Sequence, residues 1–194
     1  MLLRVQDIPV TREDAVRSRL RSLQRLGLTA GARRGQGKRA TYNAADLVFM
    51  GLALELSQLG LTPERTISLL QTQSGAILTA IREAVGKHSR KGFPCHQGAE
   101  AVYLAFDPTA LRDGSIFFHF LRLDALFTWL KEDTSFTHMC IVNLSGTINK
   151  IYNWLADVAV YTPHPVILSR PRLFLEELRS LADEMVTSSD TDDE

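Results

Sequence analysis

Cysteine is nearly absent: Cys95 and Cys140 are the only two in 194 residues. Two thiols cannot make a disulfide framework, and so few fit a reducing compartment. Long apolar runs are missing too, none approaching the ~18 residues a membrane helix requires. The opening Met1-Leu2-Leu3-Arg4-Val5-Gln6-Asp7 meets a carboxylate too early for a signal-peptide core, so the expectation is a cytoplasmic protein with no membrane contact. Metal spacing is lacking. Neither Cys95-His96, nor His88, nor the pair His138 and Cys140 matches a zinc pattern, and lone Cys and His on strands are ordinarily core residues. The glycine-rich stretch Gly31 to Arg39 has five residues between its outer glycines instead of four. It also has Arg39 where a phosphate loop needs a magnesium-binding hydroxyl, so it is not such a loop. No spacing of nucleophile, acid or base suggests catalysis. The chain is therefore expected to be no enzyme and to carry no cofactor and no metal.

Net charge is also absent, but only in the sum. Residues 1–92 hold 15 Lys or Arg against 7 Asp or Glu, a net +8; residues 93–194 hold 7 against 15, a net −8. Residues 1–42 alone carry 10 basic groups against 3 acidic ones. Such a division fits one half to a polyanion and leaves the other for different work.

Along the chain, Leu2 to Ile8 is β-compatible and ends at Pro9, which disfavours a helix before it. Thr11 is a good N-cap with Asp14 three residues on, opening a helix that Gly27 closes. At ~100° per residue, Val16, Leu20, Leu23 and Leu26 form its apolar stripe, and Arg17, Arg21 and Arg25 fall together on the far side. Gly31 to Tyr42 reads as two short strands around a glycine turn flanked by Arg33, Arg34, Lys38 and Arg39. Asn43 caps a second helix, Ala44 to about Leu59, so apolar on most faces that burial is required. Gly60 ends it, and Thr62-Pro63-Glu64 opens a third helix. A further helix is expected from Ala76 to Val85, followed by the basic loop Lys87 to Gly92. Strands are expected at Ala101–Phe106, Ser115–Leu121 and Thr137–Leu144, with helices at Leu123–Lys131, Thr147–Val160 and Arg172–Met185. Phe117, Phe118, Phe120, Phe127, Trp129 and Trp154 are most simply core, with a pocket or a subunit interface as their other use. The end, Ser188 to Glu194, is too polar and acidic to pack.

A helix with one arginine face followed by a basic hairpin suits a winged helix. The helix enters a major groove ~12 Å wide, and the hairpin's cations neutralise phosphates. Thr11 and Arg12 stand at the helix tip, where bases are read, and Arg17 and Arg21 lie along its flank. Arg33, Arg34, Lys38, Arg39 and Tyr42 would hold the backbone.

The order of motifs here resembles the MerR regulators. The carrying residues are Arg21-Ser22-Leu23-Gln24-Arg25-Leu26-Gly27-Leu28, then Arg33-Arg34 and Gly37 to Tyr42, then Asp46-Leu47, and finally Leu59-Gly60-Leu61-Thr62-Pro63-Glu64. The resemblance covers about 50 residues and implies phosphate contact by Arg21, Arg39 and Tyr42, with wing insertion around Arg33 and Arg34. It departs from the family at Ser22-Leu23, where a tyrosine pair is usual. The family's first helix has almost no room in residues 1–10, and its long dimerisation helix and metal-binding cysteines are not evident.

The expected fold is α+β: a winged helix-turn-helix over residues 1–74, a helix and basic linker over 75–98, a small α/β domain over 99–186, and an acidic tail from 187. The expected function is a sequence-specific transcription regulator that binds double-stranded DNA as a homodimer, nucleoid-associated in a bacterial or phage setting. The alternatives are an architectural, excisionase-like or partition DNA-binding protein, and a protein-interaction adaptor. Residues 99–186 would serve dimerisation, a protein partner or a small-molecule effector.

Overall fold

The computed structural model describes residues 13–28, 42–85, 100–107, 118–132, 138–161 and 173–180. They form α1 (Glu13–Arg25), α2 (Ala44–Gln58), α3 (Pro63–Thr72), α4 (Ser74–Val85), β1 (Val102–Phe106), β2 (His119–Arg122), α5 (Leu123–Glu132), β3 (Cys140–Asn143) and α6 (Leu144–Tyr161). Residues 173–180 are also helical. The molecule is α-rich with one small antiparallel sheet, an α+β architecture. The expected strand at 2–8, the wing strands within 31–41, the basic loop 87–92 and the tail from 187 lie outside the described residues.

Local chemistry explains where the helices begin and end. Asn43 and Asp46 form a reciprocal cap on α2: Asn43 Oδ1 accepts from the Asp46 amide at 2.7 Å and Asp46 Oδ2 from the Asn43 amide at 3.1 Å. Thr62 Oγ1 accepts from the Arg65 amide, with Pro63 at the first helical position of α3. Two helices close in the same way. After α1, Gly27 at φ 92° donates to Gln24 O, and Leu28 donates to Leu23 O at 3.1 Å. After α2, Gly60 at φ 95° donates to Ser57 O, and Leu61 to Leu56 O at 3.2 Å. Both are Schellman ends in which only glycine takes the left-handed position without strain. Both are written by one signature, Leu-x-x-Leu-Gly-Leu-Thr, at 23–29 and again at 56–62.

That ending corrects the expected stripe of α1. Leu23 is fully buried and Leu20 half-buried, but Leu26 is 39% exposed because it caps the helix and points outward. Leu28, returned by the Schellman turn, packs on the core instead. Leu59 is corrected likewise: it is 45% exposed at the α2 C-cap, and with Ile141 it lines an open groove of about 330 Å³ beside β3.

The sheet has the order β2-β1-β3, with both pairings antiparallel. Register puts Phe120, Leu104 and Val142 side by side on one face, and His119, Ala105 and Ile141 on the other. The first face, extended by Val102 and Phe106, packs into the same cluster as Leu23, Leu52, Leu56, Leu70, Ile77, Ile81, Ile148 and Ile151. Residues from both halves of the chain thus share one core. Phe118 lies just before β2, not within it, and its ring meets Phe106 and Phe120 edge-on at 5.6 and 6.0 Å.

Helix α2 is the axis of this core. It is buried on most faces, as expected, and contacts α1, α3, α6 and β3. At Gly51 it meets α6 so closely that a Cβ would stand 2.8 Å from Thr147 Cγ2. Helix α6 starts at Leu144, three residues earlier than expected, because Asn143 ends β3 and caps the helix at once, its Oδ1 accepting from the Gly146 amide at 2.7 Å. Buried Ser145 then accepts the Val102 amide at 2.9 Å, tying α6 to β1. On the opposite face α5 contacts β1 and β2, and Trp129 lies over His119 at 4.7 Å. The layers are therefore the α1–α4 and α6 helices, the sheet, and α5.

Candidate nucleic-acid interface

The apolar side of α1 docks on α2 and α3, which turns its other side outward. Arg17, Arg21 and Arg25 are all exposed there. Four-residue steps advance ~40° around the helix, so the three guanidinium groups occupy one edge, rising ~12 Å from first to last. Arg21 and Arg25 make no ion pair among the described residues. Exposed Asp14 falls in the same arc, three residues before Arg17, and tempers the charge at the N-terminal end.

Arg19 follows a different rule. Two residues out of phase with that edge, it donates from Nη1 to the Ser57 carbonyl at 3.4 Å, bracing α1 against the C-terminal turn of α2. That turn carries the negative end of the helix dipole, which favours a cation.

Tyr42 is 37% exposed and attached to α1. Gln24 donates from Nε2 to Tyr42 Oη at 2.8 Å, and the same amide nitrogen lies 3.9 Å from Met50 Sδ on α2. One half-buried amide therefore links α1, α2 and the residue just before the α2 cap. Because Gln24 occupies an acceptor position of the hydroxyl, that bond does not use the Tyr42 proton. Further along, Gln71 Nε2 of α3 donates to Gly27 O at 3.5 Å, fastening the end of α1.

Of the residues expected to meet DNA, the structure brings together Arg17, Arg21 and Tyr42. Thr11, Arg12, Arg33, Arg34, Lys38 and Arg39 lie outside the described residues. Helical spacing sets Gln24 beside the arginine face and Arg19 off it, and by itself assigns neither of them a role. The i+3 step from Arg21 signals Gln24, but its bond to Tyr42 spans 18 residues and has no periodic trace.

The described residues contain no group of three or more His, Cys, Asp or Glu placed to hold a metal. Cys140 is half-buried at the start of β3; burial, reinforced by the charge of Asp107, pushes its thiol pKa up. It is therefore a neutral thiol at ordinary pH, which makes it a poor nucleophile and a poor ligand. Among the described residues no helix is long and apolar enough to cross a membrane. Phe127 is corrected from core to surface, at 56% exposed, while Trp129 and Trp154 are half-buried. Comparison with protein-family models, with curated proteins and with solved structures gave no match.

Proposed function

We propose that the chain is a sequence-specific double-stranded DNA-binding regulator acting as a homodimer, with α1 as its recognition helix in a winged helix-turn-helix. The observation that carries this reading is the outward arginine edge Arg17–Arg21–Arg25, coupled through Gln24 to the hydroxyl of Tyr42, within a half of net +8. Arginines spaced over ~12 Å of one helix face match the reach of a major-groove helix whose flanks touch phosphates on both sides. The cations Arg33, Arg34, Lys38 and Arg39 add the backbone contacts of a wing. Residues 99–186 then serve association or an effector, consistent with their opposite charge.

Selection of bound duplexes from random DNA with the full chain tests this proposal. The expected result is enrichment of a two-fold symmetric site, since paired half-sites are how small modules gain contact area and specificity. Recovery of unenriched DNA, with affinity indifferent to salt, would overturn it.

A further inference from the structure

We infer that the outer side of the sheet is a self-association surface on which α5 of a second copy of this chain docks antiparallel to the first. The inference rests on the reading that two copies act together, and it assigns the surface by which they do so.

Helix α5 contacts β1 and β2, and Leu126, 3% exposed, is its one buried residue. Trp129, ~60° to one side of it, lies over His119 on β2. To the other side, within ~40–100° of Leu126, run Leu130, Leu123 and Phe127 at helical i, i+4, i+7 spacing. Leu123 is half-buried, but Leu130 is 38% and Phe127 56% exposed. Ile141, on the edge strand β3, shares a register face with His119 and is 44% exposed, and it also borders the groove beside Leu59. An amphipathic helix that has already buried its inward residue gains nothing from a second apolar stripe unless something covers it.

The flanking charges favour a second copy as the cover. Asp124 and Lys131 border the stripe on one flank, seven residues and so ~20° and ~10 Å apart. Neither makes an ion pair among the described residues, Asp124 Oδ1 accepting only the Ala125 amide at 2.8 Å. A two-fold axis perpendicular to α5 near Phe127 sets each Asp124 opposite the other copy's Lys131, twice over. A parallel arrangement would set like charges against each other. The two-fold arrangement also brings the two Phe127 rings together at its centre, where a large aromatic side chain contributes most. Helix α1 lies on the helical layer across the sheet, so its arginine edge stays open when α5 is covered.

The full chain and four variants tested by sedimentation equilibrium decide the matter. Wild type is expected to be dimeric. Phe127→Asp places a carboxylate at the centre of the contact and is expected to give monomer; since Phe127 is mostly exposed, thermal unfolding should be little changed. Lys131→Asp and Asp124→Lys each set like charges face to face and are expected to weaken the dimer tenfold or more. The double variant Asp124→Lys/Lys131→Asp restores opposite charges and is expected to regain the wild-type constant. A wild-type monomer at all concentrations, a dimer indifferent to Phe127→Asp, a dimer indifferent to the single charge reversals, or a double variant no better than the singles would overturn the inference. DNA binding measured alongside separates the two readings: a dimer that survives Phe127→Asp and binds duplex with steep salt dependence sinks only this surface, and a dimer lost in Phe127→Asp that never binds DNA sinks only the regulator.

Discussion

Helices α1 and α5 are short, amphipathic and placed on opposite layers of one molecule, yet they show solvent opposite things. Helix α1 buries Leu23 and turns arginines outward; α5 buries Leu126 and turns Phe127 and Leu130 outward. Charged side chains ordinarily stay in water and need no cover, so their clustering is informative only because the basic groups concentrate in that half. Exposed Phe and Leu at helical spacing are a standing cost in water and call for a partner of the apolar kind. On the proposed reading the division of charge along the chain becomes a division of labour by surface, while the apolar core beneath runs through both halves.

If the core joins the halves, damage to it should not respect the charge boundary. Leu52→Ala, at a fully buried site on α2, is expected to cost about 2–5 kcal/mol. Both tryptophans, Trp129 and Trp154, lie in the acidic half, whereas far-UV dichroism reports helices everywhere. The two denaturation curves are expected to coincide in wild type and to shift together in the variant. Separate transitions would instead divide the protein into two independent units.

A smaller effect is expected at the joint between the halves. Gly51→Ala gains about 1 kcal/mol of helix propensity but drives a methyl against Thr147 Cγ2, a buried and stiff β-branched group. Overpacking of about 1–3 kcal/mol should dominate, giving a net loss in thermal unfolding. Thr147→Ser removes the offending methyl and keeps the hydroxyl that donates to Asn143 O at 3.1 Å. In that background Gly51→Ala is expected to become neutral or stabilising.

Within the basic half, Gln24→Met keeps the contact with Met50 and removes the donor to Tyr42. One hydrogen bond of about 1 kcal/mol predicts a roughly fivefold loss in duplex affinity. The salt slope should not change, because neither side chain is charged. Tyr42→Phe combined with it should lose no more than Tyr42→Phe alone.

The smallest effect belongs to Cys140. A thiol pKa raised by burial and by Asp107 means that the folded state holds this proton more tightly than the unfolded state does. The resulting stability is present below the unfolded value and fades as pH rises through the folded one. Peptide-mapped alkylation of Cys140 is expected to be slower than that of a free thiol at pH ~8, near the usual thiol pKa, and to accelerate only at higher pH.

Much of the fold was legible because it is set locally. The caps at Asn43 and Thr62, the stops at Gly27 and Gly60, and the apolar run of α2 are each dictated by neighbours within four residues. What was missed depended on the third dimension or on abrupt joins. The strands β2 and β3 pass into α5 and α6 without a linker, so Asn143 had to be read as strand end and helix cap at once. The run Phe117-Phe118-His119-Phe120 suits a strand starting at any of several positions, and packing of Phe118 on Phe106, with Phe120 against Phe118, turned those two rings inward. The arginine edge was legible from periodicity alone. The tie from Gln24 to Tyr42 and the exposure of Phe127 were not, since both depend on what packs alongside.

The central claim is that the edge of α1 meets a polyanion, and the salt dependence of duplex binding measures this directly. A plot of log K against log salt for the full chain should fall steeply, and Arg21→Ala and Arg25→Ala should each flatten it by about 0.9. A flat wild-type line, or slopes untouched by removing both arginines, would contradict the account.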